Sequence, residues 1–174
     1  MLALPIHAAV TFVLVRPHYP ENVGAAARAI KTMGFSGLGL VKPGRLAVPE
    51  HEMAHKMAVK SWDVLEGAAR FDTVDEATQG ANCVIATTSR RGVSGAKPAR
   101  AVANELIGPV DQGARIAILF GNEKTGLTHD EVAAAHHALR IPIAADQPSI
   151  NLAQAVQIVA YELFIAGLES RTTA

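Results

Sequence analysis

Short apolar runs alternating with helix-forming segments constrain this chain more than any other feature of its sequence. Val10 to Val15, Leu38 to Val41, Cys83 to Thr87 and Ile116 to Phe120 are β-branched or apolar and bounded by turn residues, as buried strands are. Between and after them lie stretches of helical composition: Ala25 to Met33 closed by Gly34, Pro49 to Val59, Val74 to Gln79, Lys97 to Ile107 and Thr128 to His136. Val64 to Ala69 suits a short helix or a strand equally. A parallel neighbour needs a crossover, and a helix supplies it, so this alternation predicts an α/β fold with a parallel sheet. With 174 residues, no internal repeat and no linker, the reading is a single domain over 1–174.

The C-terminal stretch carries the densest pattern. A β-type run from Leu139 to Ile143 meets a proline-punctuated turn, and Ser149, a preferred cap, marks the expected start of a long helix. Leu152, Ala155, Val156, Val159, Ala160 and Leu163 form one apolar stripe of that helix, and Ile158, Tyr161 and Ile165 a second beside it. One stripe covers a core; the second implies another subunit.

Residues 2–15 are almost uncharged, but Pro5, His7 and Thr11 interrupt them and they are too few to span a bilayer, so they read as a strand and no membrane segment is expected. The lone Cys83 excludes a disulfide framework within the chain and a multi-cysteine zinc site, which implies an intracellular, cytoplasmic protein. The formal net charge is zero, so no whole-protein field advertises nucleic acid. Local charge differs: Arg90, Arg91, Lys97 and Arg100 stand in a segment free of Asp and Glu, which a solvated loop would also explain.

Ligands of open parallel sheets bind at the carboxyl ends of the strands. The residues there are Glu21, Asn22 and Gly24 with Arg28 further on, then Thr87 to Arg90, then Gly121, Asn122, Glu123 and Gly126, then Pro148, Ser149 and Asn151. Three segments among these act together: Asn22-Val-Gly-Ala-Ala-Ala-Arg28, Phe120-Gly-Asn-Glu-Lys-Thr-Gly-Leu127, and Ile141-Pro-Ile with Ser149-Ile-Asn-Leu continuing to Glu162. In order and spacing they resemble the signature motifs of the SpoU family, within the SPOUT superfamily of RNA methyltransferases. The resemblance covers about Thr11 to Phe164 and is nearest to the branch that methylates ribose 2′-hydroxyls in the tRNA anticodon loop. It implies a deep C-terminal trefoil knot, S-adenosylmethionine as cofactor, a homodimer, an RNA substrate with tRNA favoured, and no metal.

Carried over by position, the resemblance implies that Thr88, Ser89, Arg90, Gly121, Ile141, Pro148, Ser149 and Ile150 surround the cofactor. It implies that Asn22, Arg28, Glu123, Ser149 and Asn151 surround the reacting ribose. A guanidinium is effectively always protonated, so Arg28 is read as a clamp and a stabiliser of alkoxide charge in preference to a general base, with Glu123 and Asn22 orienting it. Members of that branch generally carry a C-terminal extension that helps hold tRNA. Since the sequence stops at Ala174, the basic loop from Arg90 to Arg100 is expected to do more of the binding, or the substrate is another RNA such as rRNA.

Two other patterns compete. His51-Glu-Met-Ala-His55 matches H-E-x-x-H, which on a helix would make a zinc-dependent hydrolase, with Glu76 as the nearest third ligand. Gly121 to Gly126 resembles half a phosphate-binding loop, but Leu127 stands where that loop needs lysine. A non-catalytic RNA-binding module with the same fold is the remaining alternative.

Overall fold

The computed structural model describes residues 2–173. In chain order its elements are α1 (Pro5–Ala9), β1 (Val10–Val15), α2 (Pro20–Thr32), β2 (Gly37–Val41), α3 (Glu52–Ala58), α4 (Trp62–Glu66), β3 (Ala69–Phe71) and α5 (Val74–Thr78). Then follow β4 (Cys83–Thr87), β5 (Lys97–Pro98), α6 (Ala99–Asp111), β6 (Ile116–Phe120), α7 (His129–Ala134), β7 (His137–Arg140) and α8 (Leu152–Thr173). Among the described residues the seven strands form one parallel sheet in the order β3-β2-β1-β6-β4-β7-β5.

The middle strands are apolar throughout because both faces of the sheet are covered. Every residue of β6 is buried, and alternate residues of β1 serve opposite sides. Phe12 and Leu14 join a large core with Val23 and Ile30 of α2, Val102 and Leu106 of α6, and Val156 and Leu163 of α8. Val13 and Val15 join a smaller one with Ala117 and Leu119, closed by Val74 and Ala77 of α5 and Val132 near the end of α7.

Several boundaries differ from those expected. α2 begins at Pro20, not Ala25, because proline suits the first turn of a helix, where its missing N–H is not needed. Residues 2–15 are not one strand: Pro5–Ala9 forms a short helix whose Ile6 is buried, and the strand starts at Val10. The ambiguous Val64 to Ala69 divides between α4 and β3, and β7 ends at Arg140 with Ile141 to Ile143 outside it. α6 starts after β5 and runs through Pro109 to Asp111.

α8 departs most from expectation at its start. Ser149 is exposed and precedes the helix; the cap is Asn151, whose Oδ1 accepts the N–H groups of Ala153 (3.0 Å) and Gln154 (3.2 Å). α8 is long and apolar enough to cross a membrane by composition, but Leu152, Val156, Val159, Ala160, Leu163 and Ala166 are buried in the core that it shares with α2 and α6. Its other side leaves Tyr161 46% and Leu168 37% exposed, with Ile158 and Ile165 half-buried between them.

Candidate active site

The carboxyl ends of β4, β6 and β7 are neighbours in the sheet, and the loops that leave them enclose a cleft. Its lining includes Thr88, Ser89, Arg90, Gly121, Ile141, Pro148, Ser149 and Ile150, every residue assigned to the cofactor from the resemblance. Leu139, Ile141, Ile150 and Leu152 supply an apolar wall; the backbone of residues 121–127 and the side chains of Thr88 and Ser89 supply polar atoms.

Cross-links between the loops set this shape. The Thr88 amide donates to Leu139 O (2.9 Å), Arg90 Nη2 to Leu127 O (2.7 Å), and Arg140 Nη2 to Arg90 O (2.5 Å). Arg140 was not among the residues singled out from sequence; a charged residue at a strand end carries no signal of such a role. Arg90 Nη1 and Arg140 Nε are buried without a hydrogen-bond partner, so each guanidinium keeps unused donor capacity. The loop after β6 turns on Asn122, whose Oδ1 accepts the amides of Lys124 (2.9 Å) and Thr125 (3.2 Å). Gly121 has to be glycine there, because a Cβ would stand 2.2 Å from Leu127 N.

A second cluster borders the cleft. Asn151 Nδ2 donates to Asn22 Oδ1 (2.9 Å), and Asn22 Nδ2 donates to Glu123 Oε1 (2.8 Å). Glu123 also accepts the backbone amides of Tyr19 at Oε1 (3.2 Å) and of His18 at Oε2 (2.8 Å). The start of α2, the cap of α8 and the loop after β6 are thereby one hydrogen-bonded unit. With three donors on it, Glu123 is held as an acceptor and is engaged as a brace.

Arg28 stands apart from that unit. It is exposed on α2 and lines an open groove between α2 and α8 with Thr32, Asn151, Gln154 and Gln157. The expectation that Asn22 and Glu123 orient Arg28 is corrected: their side chains bond each other, Asn151 and the backbone, and Arg28 lies further along the helix. Sequence spacing places a residue on a helix but not its partners.

The H-E-x-x-H pattern resolves into local structure. His51 is not on the helix face; it caps α3, its Nδ1 accepting the Met53 amide (3.1 Å), while His55 Nε2 lies 3.2 Å from Glu66. Among the described residues no group of three His, Cys, Asp or Glu side chains could hold a metal ion.

Arg16 and Glu131 close the far side of the loop after β6. Arg16 Nη1 and Nη2 pair with the two Glu131 oxygens (2.5 and 2.8 Å), and Asn122 Nδ2 donates to Arg16 O (2.6 Å). The Arg16 guanidinium, against some opposing desolvation, holds the Glu131 carboxyl below its ordinary value of 4.5. A depressed carboxyl contributes stability that is present above its unfolded value and lost as pH falls through the folded one. Thermal melts of the parent protein should therefore lose stability as pH drops below 4.5, and Glu131→Gln should flatten part of that acid limb at a cost of about 1 kcal/mol near neutrality. Parallel acid limbs for the two proteins would show that this pair does not contribute.

Residues 9–161 match the SpoU rRNA Methylase family. The chain is 37% identical, over 92% of its own length and 66% of the relative's, to tRNA (cytidine/uridine-2′-O-)-methyltransferase TrmJ of Pectobacterium atrosepticum. It spans a little under two thirds of the length of the curated relatives it matches. The solved structure of TrmJ from Z. mobilis ZM4 superposes with a TM-score of 0.79 at 38% identity, covering 90% of this chain and 69% of that one. The AdoMet-bound rRNA methyltransferase from Sinorhizobium meliloti superposes with a TM-score of 0.72 at 26% identity, covering 92% of this chain and 57% of that one. A match across residues 9–161, joined to a parallel sheet whose cleft gathers the second and third motif segments, with Asn22 of the first hydrogen-bonded at its border, means that the chain belongs to the SpoU methylase family.

Proposed function

We propose that this protein transfers a methyl group from S-adenosylmethionine to a ribose 2′-hydroxyl of RNA, with the tRNA anticodon loop as the favoured substrate. The observation that carries this reading is the convergence of Thr88, Ser89, Arg90, Gly121, Ile141, Pro148, Ser149 and Ile150 on one cleft, with Asn22, Glu123 and Asn151 hydrogen-bonded at its border. The cleft fits the cofactor: the apolar side chains of Leu139, Ile141, Ile150 and Leu152 suit an adenine ring, and the main chain of residues 121–127 with the hydroxyls of Thr88 and Ser89 offers polar partners. The similarity to TrmJ proteins supports a tRNA ribose as acceptor, and the AdoMet-bound relative supports the cofactor.

The cofactor supplies an electrophilic methyl group on a sulfonium. The residues of the chain align the acceptor, because in-line displacement depends on geometry above all. Arg28, exposed in the groove beside Asn151, clamps an RNA phosphate and stabilises negative charge on the 2′-oxygen as its proton passes to bulk water. Asn151 and Ser149 position the ribose, while Asn22 and Glu123 hold Asn151 and the loop after β6 in register. The same reading makes residues 1–174 one domain, of which Met1 and Ala174 lie outside the described residues, in a cytoplasmic enzyme. It also includes a C-terminal trefoil knot built from the loops after β4 and β6 and from the segment after β7, all of which line the cleft.

Titration calorimetry with S-adenosylmethionine or its demethylated product should give one site per subunit without added metal. No heat at millimolar cofactor would end this reading. Labelled cofactor offered with tRNA and rRNA separately, followed by mapping of the product, identifies the acceptor; label confined to rRNA would replace the tRNA assignment.

The enzyme works as a homodimer in this reading, through the side of α8 that carries Ile158, Tyr161, Ile165 and Leu168. Apolar seams left open on one chain mark association surfaces. Tyr161→Asp or Ile158→Asp should give monomers by light scattering, with weakened cofactor binding. A parent protein that is monomeric at micromolar concentration would remove the dimer.

A further inference from the structure

The loop between β1 and α2 carries groups that the methyl-transfer chemistry leaves unused. Tyr19 is 42% exposed at the very start of α2, and His18 meets its ring edge-on with centroids 4.7 Å apart. Lys124 Nζ lies 5.8 Å from the Tyr19 centroid, within range of a cation–π contact. The next loop, after β2, is strapped to the same place: the Gly44 amide donates to Pro17 O (2.9 Å), and a Cβ on Gly44 would stand 3.7 Å from His18 Cα. That strap presents Lys42 and Arg45 to solvent, with Leu46 half exposed beside them.

Charge and position give this patch its meaning. Among the described residues the side chains of Lys42, Arg45 and Lys124 have no carboxylate partner, while other cations such as Arg16, Lys31, Arg70, Lys97 and Arg100 are paired. In a chain of zero formal net charge, an exposed aromatic ring beside Lys124, next to a strap that carries Lys42 and Arg45, forms a local docking site for anions. The ring is also tied to the site already described, since Glu123 accepts the Tyr19 and His18 amides with the same carboxylate that accepts Asn22. Whatever lies on Tyr19 is therefore held in register with the acceptor side of the cleft. An aromatic face with flanking cations, bordering a ribose site, matches single-stranded nucleic acid: a base stacks on the ring and its phosphates meet the cations. An acidic protein surface would use the charges but not the exposed ring.

We propose that Tyr19 is a stacking platform for an RNA base neighbouring the methylated nucleotide, with Lys124, Arg45 and Lys42 contacting the phosphates on either side. This deepens the methyltransferase reading and rests on it for the identity of the RNA. It places sequence-tolerant recognition on the β1 and β2 side of the site, away from the basic segment Arg90 to Arg100. Stacking needs the ring and not the hydroxyl, so Tyr19→Phe should behave as the parent protein while Tyr19→Ala should not.

The test uses the full chain, fluorescein-labelled oligouridylate and the bulk tRNA accepted as substrate. Tyr19→Ala should weaken oligouridylate binding and raise KM for tRNA by roughly tenfold, as expected for loss of one stacked base, with calorimetric affinity for S-adenosylmethionine unchanged. Arg45→Ala should reduce the slope of log affinity against log salt by about 0.7, the value for one phosphate contact on a single strand. Equal binding by Tyr19→Ala and the parent protein would overturn the platform, as would an acidic peptide that competes with oligouridylate equally well in both. Binding that depends on Tyr19, joined to a failure to methylate any RNA, would sink the enzymatic reading and leave the platform standing.

Discussion

Replacing Arg28 by alanine is expected to lower methyl transfer by roughly a hundredfold or more while cofactor affinity stays near that of the parent protein. The separation follows from position: Arg28 lines the groove between α2 and α8, whereas the residues proposed to hold the cofactor line the cleft at the ends of β4, β6 and β7. Among the described residues the exposed Arg28 guanidinium has no side-chain partner, so melts of the variant should overlay those of the parent. Arg28→Lys tells the two chemical roles apart. Lysine keeps the charge but loses the planar fork, so an electrostatic clamp should retain part of the activity with an unchanged pH profile. A general base should instead shift the rising limb of the pH-rate curve, because an amine loses its proton at lower pH than a guanidinium. A moved limb overturns the clamp, and full turnover in Arg28→Ala overturns the catalytic role altogether.

Adding one methyl group at Gly24 should be among the most damaging single changes in the protein. A Cβ there would stand 2.0 Å from Ala54 O and 2.7 Å from Ala54 C, so it meets backbone of α3 that no side-chain rotation can clear. α2 and α3 would have to separate, opening the core around Val23, Ala27 and Ala54. Overpacking of this kind costs about 3 kcal/mol or more, roughly 10 °C in Tm for a chain of this size. α2 also carries Asn22 and Arg28, so activity should fall further than stability alone explains. Gly92→Ala is the control: nothing stands within 4 Å of the added atom, so that protein should melt close to the parent. A Gly24→Ala protein that melts with the parent would show that the helices can part at no cost.

The middle of the sheet is legible in the sequence because β1, β2, β4 and β6 are apolar or β-branched runs with clear turn boundaries. β3 and β5 are not, since three and two residues are too few to show any period. Pro20 reads as turn punctuation until the first-turn position is considered, which hid the start of α2 and with it the fact that Asn22 lies inside the helix. Ser149 and Asn151 are both good caps two residues apart, and only the fold decides between them; Asn151 wins by bonding two amides of α8 and reaching Asn22 with its other end. That the loops near 88, 121 and 149 share one edge follows from the carboxyl ends of parallel strands, whereas which of their residues face the proposed cofactor came through the family motifs. Arg140 and the Arg16–Glu131 pair escaped notice because each acts on a segment far away in the chain.

Strand order also has a consequence for how the protein comes into being. β1 pairs with β2 close by, but its other neighbour is β6, with Thr11 beside Ala117. A ribosome adding roughly 5 to 20 residues per second therefore leaves one edge of this apolar strand open for several seconds before its partner exists. During that interval the backbone donors and acceptors of β1 are available to other chains, and Phe12 and Leu14 have no α6 or α8 above them. The Asn22 and Glu123 link follows only after β6, and Asn151 arrives later still. The first 150 residues are therefore made before the unit of Asn22, Glu123 and Asn151 can close.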